Sequence, residues 1–269
     1  MVRDFIFASA AAALVSGGAM AADLPNRAAP PQPTFVTAAP FFSWTGFYAG
    51  VNLGGAFESN GKIQTVGTPA FVGLGPRLVP GSLGGNASGF IGGITAGYNQ
   101  QFGAFVAGIE GDFDYVGIKK SGSFVSPGTV LGTNLTTSAS HKLDDLGTLR
   151  ARLGYTPMDR LLVFATGGLA FGEVKDSGSV IANAAPTLAW SGSKTSTRTG
   201  YAVGAGVEYA FTNNITAKLE YLYYDLGRQT TSAVGNSAVR SVAALNGVDY
   251  ISRTRSDGSI VRAGLNFKF

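Results

Sequence analysis

Charged side chains recur at alternate positions of otherwise apolar segments, and they are the residues best placed to do chemistry. Five are acidic and five are basic: Glu110, Asp112, Asp114, Glu208 and Glu220, and Arg150, Arg152, Lys218, Arg262 and Lys268. Two neighbouring carboxylates could act as the general acid and base of a hydrolase. The equal numbers of both signs favour mutual pairing, because an unpaired charge is costly to bury in a confined space. We therefore predict a structural charge network.

Residues for nucleophilic or metal-based catalysis are sparse. The only histidine, His141, follows Ser138 by three residues, and Ser191 and Lys194 form an isolated Ser-x-x-Lys match. The chain has no cysteine, no zinc-ligand spacing and no glycine-rich phosphate loop. We predict that the protein is not an enzyme and has no metal site. One alternative stays open, a lipid hydrolase that would need Ser and His together at a membrane surface.

The charges lie on segments whose apolar residues recur with period 2, the pattern of strands with two unlike faces. Eight such segments are predicted to be strands, at residues 44–57, 88–100, 104–118, 146–155, 161–174, 198–211, 215–226 and 258–269. Their connections alternate in length. Four of them, at residues 58–88, 119–143, 175–197 and 227–257, have 23 to 31 residues, whereas the other three have three to five. This rhythm is typical of outer-membrane barrels, with long outside loops and short periplasmic turns.

Two architectures fit eight such strands: a soluble barrel with its apolar face inside, and a transmembrane barrel with its apolar face toward lipid. The apolar face is continuous and carries aromatic residues at both ends, as lipid-facing girdles do. These are Tyr98, Phe105, Tyr155, Phe211 and Phe267 on the periplasmic side, and Phe90, Phe113, Phe171, Tyr201 and Tyr223 on the other. The opposite face is polar and glycine-rich. We therefore predict an all-β fold, an eight-stranded antiparallel up-and-down transmembrane β-barrel with four long extracellular loops and short periplasmic turns.

The start of the chain predicts export. Arg3 precedes a short apolar run, and Ala19-Met20-Ala21 provides small residues before a cut, so residues 1–21 are predicted to be a cleaved signal peptide. Residues 22–43 are rich in proline and are predicted to be an extended periplasmic lead-in. Residues 44–269 then form the barrel.

Several strand segments resemble a known family. The stretches "WTGFYAGVNLGG" (44–55), "GFIGGITAGYNQQ" (89–101), "LGTLRARLGY" (146–155), "ITAKLEYLYYDLG" (215–227) and "VRAGLNFKF" (261–269) are similar to the small major outer-membrane proteins of alphaproteobacteria, a family that includes haemin-binding members. The resemblance implies an eight-stranded barrel of the bacterial outer membrane that contributes to envelope integrity and to contact with the environment or a host. It implies no enzyme.

The same resemblance raises an alternative function, a haemin-binding surface receptor or a narrow pore. It supplies no fixed haemin-ligand motif. His141 and Tyr250 are the residues of the predicted loops that are chemically able to bind iron, and they are the haemin candidates. Otherwise we expect no cofactor.

The predicted loops also indicate partners. The four long connections carry eleven Lys and Arg against four Asp and Glu. A positive surplus favours anionic partners, first the phosphates of lipopolysaccharide in the surrounding outer-membrane lipid, then host surface molecules. The basic residues are scattered along the chain, so no nucleic-acid partner is expected. We expect a monomer.

The last residues of the chain are predicted to be needed for insertion into the membrane. Phe267 and Phe269 belong to the apolar stripe of the last strand, and the resemblance implies that the barrel-assembly machinery reads this ending. Deleting Phe269 should therefore leave export intact but reduce insertion, with protein lost or retained in the periplasm. Heat-modifiable barrel in outer-membrane fractions measures this, with Asn266→Ala on the polar face as the control. Insertion at wild-type yield after the deletion would refute the expectation.

Overall fold

A computed structural model of the chain describes residues 42–58, 62–74, 78–130 and 132–269. The predicted signal peptide and nearly all of the predicted lead-in lie outside these residues. Ten strands are present: β1 (Gly46–Glu58), β2 (Ile63–Gly67), β3 (Ser82–Leu83), β4 (Ser88–Phe102), β5 (Phe105–Val130), β6 (Thr133–Met158), β7 (Leu161–Ala182), β8 (Ala189–Ala210), β9 (Ile215–Gly235) and β10 (Tyr250–Lys268). Two short α-helices, α1 (Pro69–Val72) and α2 (Ser237–Ser241), and a 3-10 helix (Ala243–Leu245) complete the described elements.

Eight long strands close into a ring. They follow the order β1-β4-β5-β6-β7-β8-β9-β10, every neighbouring pair is antiparallel, and β10 pairs back to β1 from Tyr48↔Lys268 to Glu58↔Gly258. Beyond the end of β1, the short strand β2 takes over the same edge of β10. This confirms the predicted eight-stranded antiparallel barrel. None of the helices in the described ranges is long and apolar enough to cross a membrane.

The short connections were predicted correctly, but three of the long ones are largely strand. Strand β9 continues to Gly235 and β10 begins at Tyr250, so more than half of the predicted loop at 227–257 is strand. Strands β5 and β6 are each 26 residues long, so most of the predicted loop at 119–143 is a continuous hairpin. Strands β7 and β8 likewise convert most of 175–197 into strand. The physical reason is that these segments still alternate, with Ser138 and Ser140 facing outward and Thr137 and Ala139 inward, although with little contrast in hydrophobicity.

The outer surface of the lower barrel, the part nearer the periplasmic turns, is a belt of exposed apolar side chains. Ile94 is 63% exposed and Leu153 is 68% exposed. A protein in water would not expose large apolar side chains to this extent around a whole ring of strands. Aromatic rings flank the belt at both edges, for example Phe105 beside Tyr155 at 5.6 Å and Tyr201 beside Tyr223 at 6.3 Å. The exposed belt and its two girdles match the predicted lipid-facing surface.

The interior is built in layers. At the periplasmic end an apolar cluster contains Trp44, Leu162 and Phe164. Above it lies a layer of charged side chains, followed by a second apolar cluster that includes Ile91 and Leu222. Near the outer end a further cluster closes the barrel, built from Phe71, Leu135, Val180, Trp190, Val239, Leu245 and Tyr250.

Glycine is required where backbone and side chains approach closely inside the ring. A Cβ atom on Gly168 would lie 2.1 Å from the carbonyl oxygen of Leu149 and 2.6 Å from the Cα of Arg150. A Cβ on Gly93 would lie 2.3 Å from a carboxylate oxygen of Asp114. Glycine on the inner face therefore leaves the space that the charged side chains occupy, as the sequence predicted.

Candidate functional site

The charged layer is centred on Arg150 of β6. Its guanidinium donates to Glu110 Oε1 at 2.7 Å, to Asp112 Oδ2 at 2.7 Å and to Glu220 Oε1 at 2.6 Å. It also donates to the hydroxyl of Thr166 at 2.6 Å. Strands β5 and β6 place Glu110 directly opposite Arg150, because both residues point inward at the same register position. One arginine thus joins three carboxylates from two sides of the barrel.

A second arginine, Arg262 of β10, also reaches across the lumen to acidic side chains. It donates to Asp114 Oδ2 at 2.8 Å, to Asp112 Oδ1 at 2.9 Å and to Glu220 Oε2 at 2.9 Å. Asp112 and Glu220 therefore each bridge both arginines. The two arginines and their four carboxylate partners are at most 6% exposed, and their branched contacts satisfy most of the donors of the two guanidinium groups.

The lower part of the layer holds Arg152, Lys218 and Glu208. Arg152 pairs with Glu208 and lies 3.7 Å from the ring centroid of Phe164. Glu208 and Lys218 face each other in the β8–β9 register. The ammonium of Lys218, however, bonds Glu110 Oε2 at 2.8 Å, so the network reaches across the lumen and is not confined to one hairpin.

Tyr48 of β1 also belongs to the network, although the sequence prediction did not include it. Its hydroxyl donates to Glu110 Oε2 at 2.7 Å and accepts from Arg152 at 3.3 Å. Its position on the polar face of the first strand could have indicated that its side chain lies in the lumen. An aromatic ring on that face is compatible with a polar lumen when its hydroxyl finds a partner.

Lys268 was wrongly assigned to this network. Its ammonium donates to the carbonyl oxygen of Ser43 at 2.5 Å and lies 5.3 Å from the ring centroid of Phe42. The reason is its height in the barrel. Lys268 follows Asn266, whose amide donates to Glu208 at the lower edge of the charged layer, and it therefore lies below the last acidic side chain.

A second, smaller ionic cluster lies nearer the outer end, and it contains His141. The sequence placed His141 in an exposed loop, but it points inward from β6 and is fully buried. Its Nδ1 lies 2.6 Å from Asp176 Oδ1 and its Nε2 lies 3.3 Å from Glu58 Oε1. Glu58 also pairs with Lys120 of β5. Two cations and two carboxylates thus balance when the imidazole is protonated.

The surroundings of His141 determine its protonation. Burial by itself would lower the pKa of the imidazole, but the hydrogen bonds to Asp176 and Glu58 raise it to about 9. His141 lies on the outer side of the lipid-facing belt, since it is eight residues from the exposed Leu149 along β6. At neutral pH the imidazolium is therefore one of the charges that hold this cluster together.

A serine and an aspartate flank His141 in this cluster, which bears on the hydrolase alternative. Ser138 points outward and is not beside His141. Instead Ser256 Oγ lies 3.4 Å from His141 Nε2, with Asp176 on the other ring nitrogen, which is the order of a catalytic triad. Ser256 is only 3% exposed and Glu58 shares the same imidazole nitrogen. This arrangement can hold a proton, but its serine faces no surface that an acyl substrate could reach.

The haemin candidates do not form a site. Tyr250 is fully buried in the outer apolar cluster rather than in an exposed loop, where it packs among residues such as Phe71 and Trp190. Both ring nitrogens of His141 already face carboxylates. Neither side chain therefore presents a free ligand atom to a haem iron at the surface. Within the described ranges, no group of three or more His, Asp and Glu side chains is arranged to hold a metal ion.

Removing Arg150 tests the charged layer. Arg150→Ala leaves Glu110, Asp112 and Glu220 without a shared partner, and the free energy of unfolding should fall by about 3–5 kcal/mol. Arg160→Ala is the matched control, because Arg160 bonds the neutral oxygens of Ala210 and Asn213 near the periplasmic turns. Urea unfolding in lipid vesicles measures both variants. Equal stability of the two variants would contradict the role given to the layer.

The His141 cluster predicts a pH dependence of stability. Because the folded-state pKa is about 9 and the ordinary value is 6.5, the stabilisation by His141 is complete below about pH 6.5 and is lost as pH rises through 9. The loss should be roughly 1–3 kcal/mol. His141→Gln should show a flatter profile between pH 6 and pH 10 in the same urea measurement. Parallel profiles would show that the imidazole stays neutral.

Comparison with known proteins agrees with this architecture. The family described as "Outer membrane protein beta-barrel domain" matches residues 7–250. The 31 kDa outer-membrane immunogenic protein of Brucella melitensis is 40% identical, and the match covers 100% of both chains. The 22 kDa outer membrane protein of Rhizobium leguminosarum bv. viciae is 36% identical over 69% of this chain and 66% of its own.

A solved structure, that of the outer membrane protein OprG from Pseudomonas aeruginosa, aligns with a TM-score of 0.46 at 14% identity, covering 84% of this chain and 96% of OprG. The family match and the full-length Brucella relative establish the assignment on their own. They also confirm the predicted location in the bacterial outer membrane. The chain belongs to the outer membrane protein β-barrel domain family.

Proposed function

We propose that the protein is a closed outer-membrane barrel that contributes to envelope integrity and displays a surface to the environment or a host. The observation that carries this proposal is the charged layer. Arg150 and Arg262 reach across the lumen to carboxylates on other strands, and every member of that core is buried. A ring of eight strands has room only for such side chains, so the layer acts as a plug.

The other interior layers support the same function. The charged layer lies between the apolar cluster around Trp44 and Phe164 and the one around Ile91 and Leu222. Apolar layers on both sides of a charged layer disfavour a continuous column of water. The narrow-pore alternative would require all of these layers to open.

The absence of enzyme activity is part of the proposal. The Ser256–His141–Asp176 arrangement faces no accessible surface, and the names of the Brucella and Rhizobium relatives describe outer-membrane proteins and no reaction. For haemin, equal binding by wild type and by His141→Ala and Tyr250→Ala variants would agree with the buried positions of the two residues.

Surface interaction has support from the part of the barrel above the belt. Strands β5 to β8 continue well beyond the last lipid-facing residues, and they place polar side chains such as Ser123 and Ser193 outward. The Brucella relative is named an immunogenic protein, which describes a molecule that immune systems meet. A host surface molecule is therefore a reasonable second partner, after the lipid of the membrane.

The barrel-assembly machinery is a further proposed partner. Phe267 is 49% exposed and Phe269 is 74% exposed, and their rings pack at 5.2 Å on the lipid-facing side. The backbone N–H of Phe269 donates to the carbonyl of Phe47, so this residue also helps to close the seam between β10 and β1. Because Asn266 bonds Glu208, Phe211→Ala in the same girdle is a better control for the Phe269 deletion than Asn266→Ala.

A deletion strain tests the contribution to envelope integrity. Cells that lack the protein should become more sensitive to detergent and more permeable to large hydrophilic antibiotics, because a structural component of the outer membrane is missing. Wild type and Arg160→Ala expressed from a plasmid should restore resistance. Unchanged permeability and detergent sensitivity in the deletion strain would contradict the proposal.

A further inference from the structure

A basic groove lies on the outer surface of the barrel, where β9, β10 and β2 run side by side. Its volume is about 920 Å³, and its chemistry-bearing residues are Lys62, Gln64, Arg228, Thr230, Arg253 and Arg255. The register explains the grouping. Arg253 lies opposite Thr230 on one side and Gln64 on the other, and Arg255 lies opposite Arg228. All of these side chains point away from the lumen, because their inward-facing neighbours Ser252 and Thr254 are buried.

The positive charge of the groove is only partly neutralised. Arg255 lies 2.5 Å from Asp225 and 3.8 Å from Asp257. In the part of the chain that the structure describes, no carboxylate lies within ion-pair distance of Lys62, Arg228 or Arg253. The groove therefore retains a surplus of positive charge together with neutral hydrogen-bonding side chains.

On the opposite side of the barrel, a row of outward-facing lysines has carboxylates beside it. There Lys119, Lys142 and Lys175 lie next to one another across three strands. Lys142 pairs with Asp144 at 2.5 Å, and Lys175 pairs with Asp144 and with Glu173 at 2.9 Å. Two of the three lysines in this row thus have carboxylate partners, whereas in the described ranges Lys62, Arg228 and Arg253 of the groove have none within ion-pair distance.

Like charges directly opposite each other destabilise a sheet unless an anion lies between them. Arg228 faces Arg255, and Arg253 is two positions further along the same strand. A phosphate group suits this arrangement, because arginine donors bind phosphate in a bidentate manner and neutral donors such as Gln64 and Thr230 can complete its contacts.

The height of the groove identifies the source of the phosphate. The lipid-facing belt ends near Phe57, which is 51% exposed and lies opposite Ser259 of β10. Arg255 is four residues further along β10, which places it roughly 10 Å above the belt once strand tilt is allowed for. That is the zone of lipid headgroups outside the hydrocarbon core.

We propose that this groove binds the phosphate groups of a glycolipid in the outer leaflet, of the kind that forms the lipid part of lipopolysaccharide. The bound headgroup bridges Arg228, Arg253 and Arg255 and fixes one lipid against the wall of the barrel. The groove lies outside the lumen, so the two proposals are independent. Lipid binding can fail while the barrel stays closed, and an open barrel could still bind lipid in the groove.

The test compares purified full-length variants by native mass spectrometry with bisphosphorylated lipid A as the probe. Arg228→Gln/Arg253→Gln should weaken binding by at least roughly tenfold. Lys119→Gln/Lys175→Gln is the matched control, since it removes the same charge at a similar height and should change binding less than about twofold. Heat modifiability confirms that both double variants are folded.

The source of the phosphate is tested with three more probes on the wild type. Dephosphorylated lipid A should bind at least roughly tenfold more weakly than the bisphosphorylated form. Inorganic phosphate and a soluble sulfated oligosaccharide should compete poorly, because neither is held at the level of the headgroups. Equal binding by the two double variants would overturn the assignment to the groove. Equal binding of phosphorylated and dephosphorylated lipid, or tighter binding of the sulfated sugar, would overturn the assignment to a lipid phosphate.

Discussion

Burying charge inside a narrow closed ring is the constraint on which the rest of this structure depends. Eight strands enclose a lumen that has no room for a solvating water column, so each charged side chain must find its partners among other side chains. Arg150 and Arg262 meet this requirement by contacting Asp112 and Glu220 together. Tyr48 and Thr166 supply neutral contacts at the edges of the layer. The close-fitting glycines on the inner face follow from the same requirement, because they leave space for the backbone and side chains of the charged residues, as Gly93 does for Asp114 and Gly168 for Arg150.

Buried charges also pair with one another near the outer end, in a smaller group. Glu58, Lys120, His141 and Asp176 form a balanced group only when the imidazole carries its proton. Apolar residues such as Leu143 and Val174 separate this group from the lower charged layer. The stability of the outer end therefore depends on one titratable group, whereas the lower layer depends on arginines that stay charged at all accessible pH values.

Much of the fold could be predicted from the sequence because the lower barrel alternates strongly between lipid-facing apolar residues and a charged inner face. Glu110, Asp112 and Arg150 were placed correctly for that reason. The upward continuation of β5 to β10 was missed, since serine, threonine and other polar residues give little hydrophobic contrast there. The partners of His141 were also missed. Asp176 lies directly opposite His141 in the β6–β7 register, whereas Glu58 and Ser256 come from β1 and β10, and only the closure of the ring brings these two to the imidazole.

In the proposed function, the paired charges and the apolar layers close the lumen to ions. Single-channel recording of the purified wild-type protein in planar lipid bilayers tests it most directly, with the protein first shown to be folded by heat modifiability. The charged layer predicts no stable conductance above that of the bare bilayer, over a range of salt concentrations and voltages. Well-resolved open steps that require the protein would contradict the closed barrel.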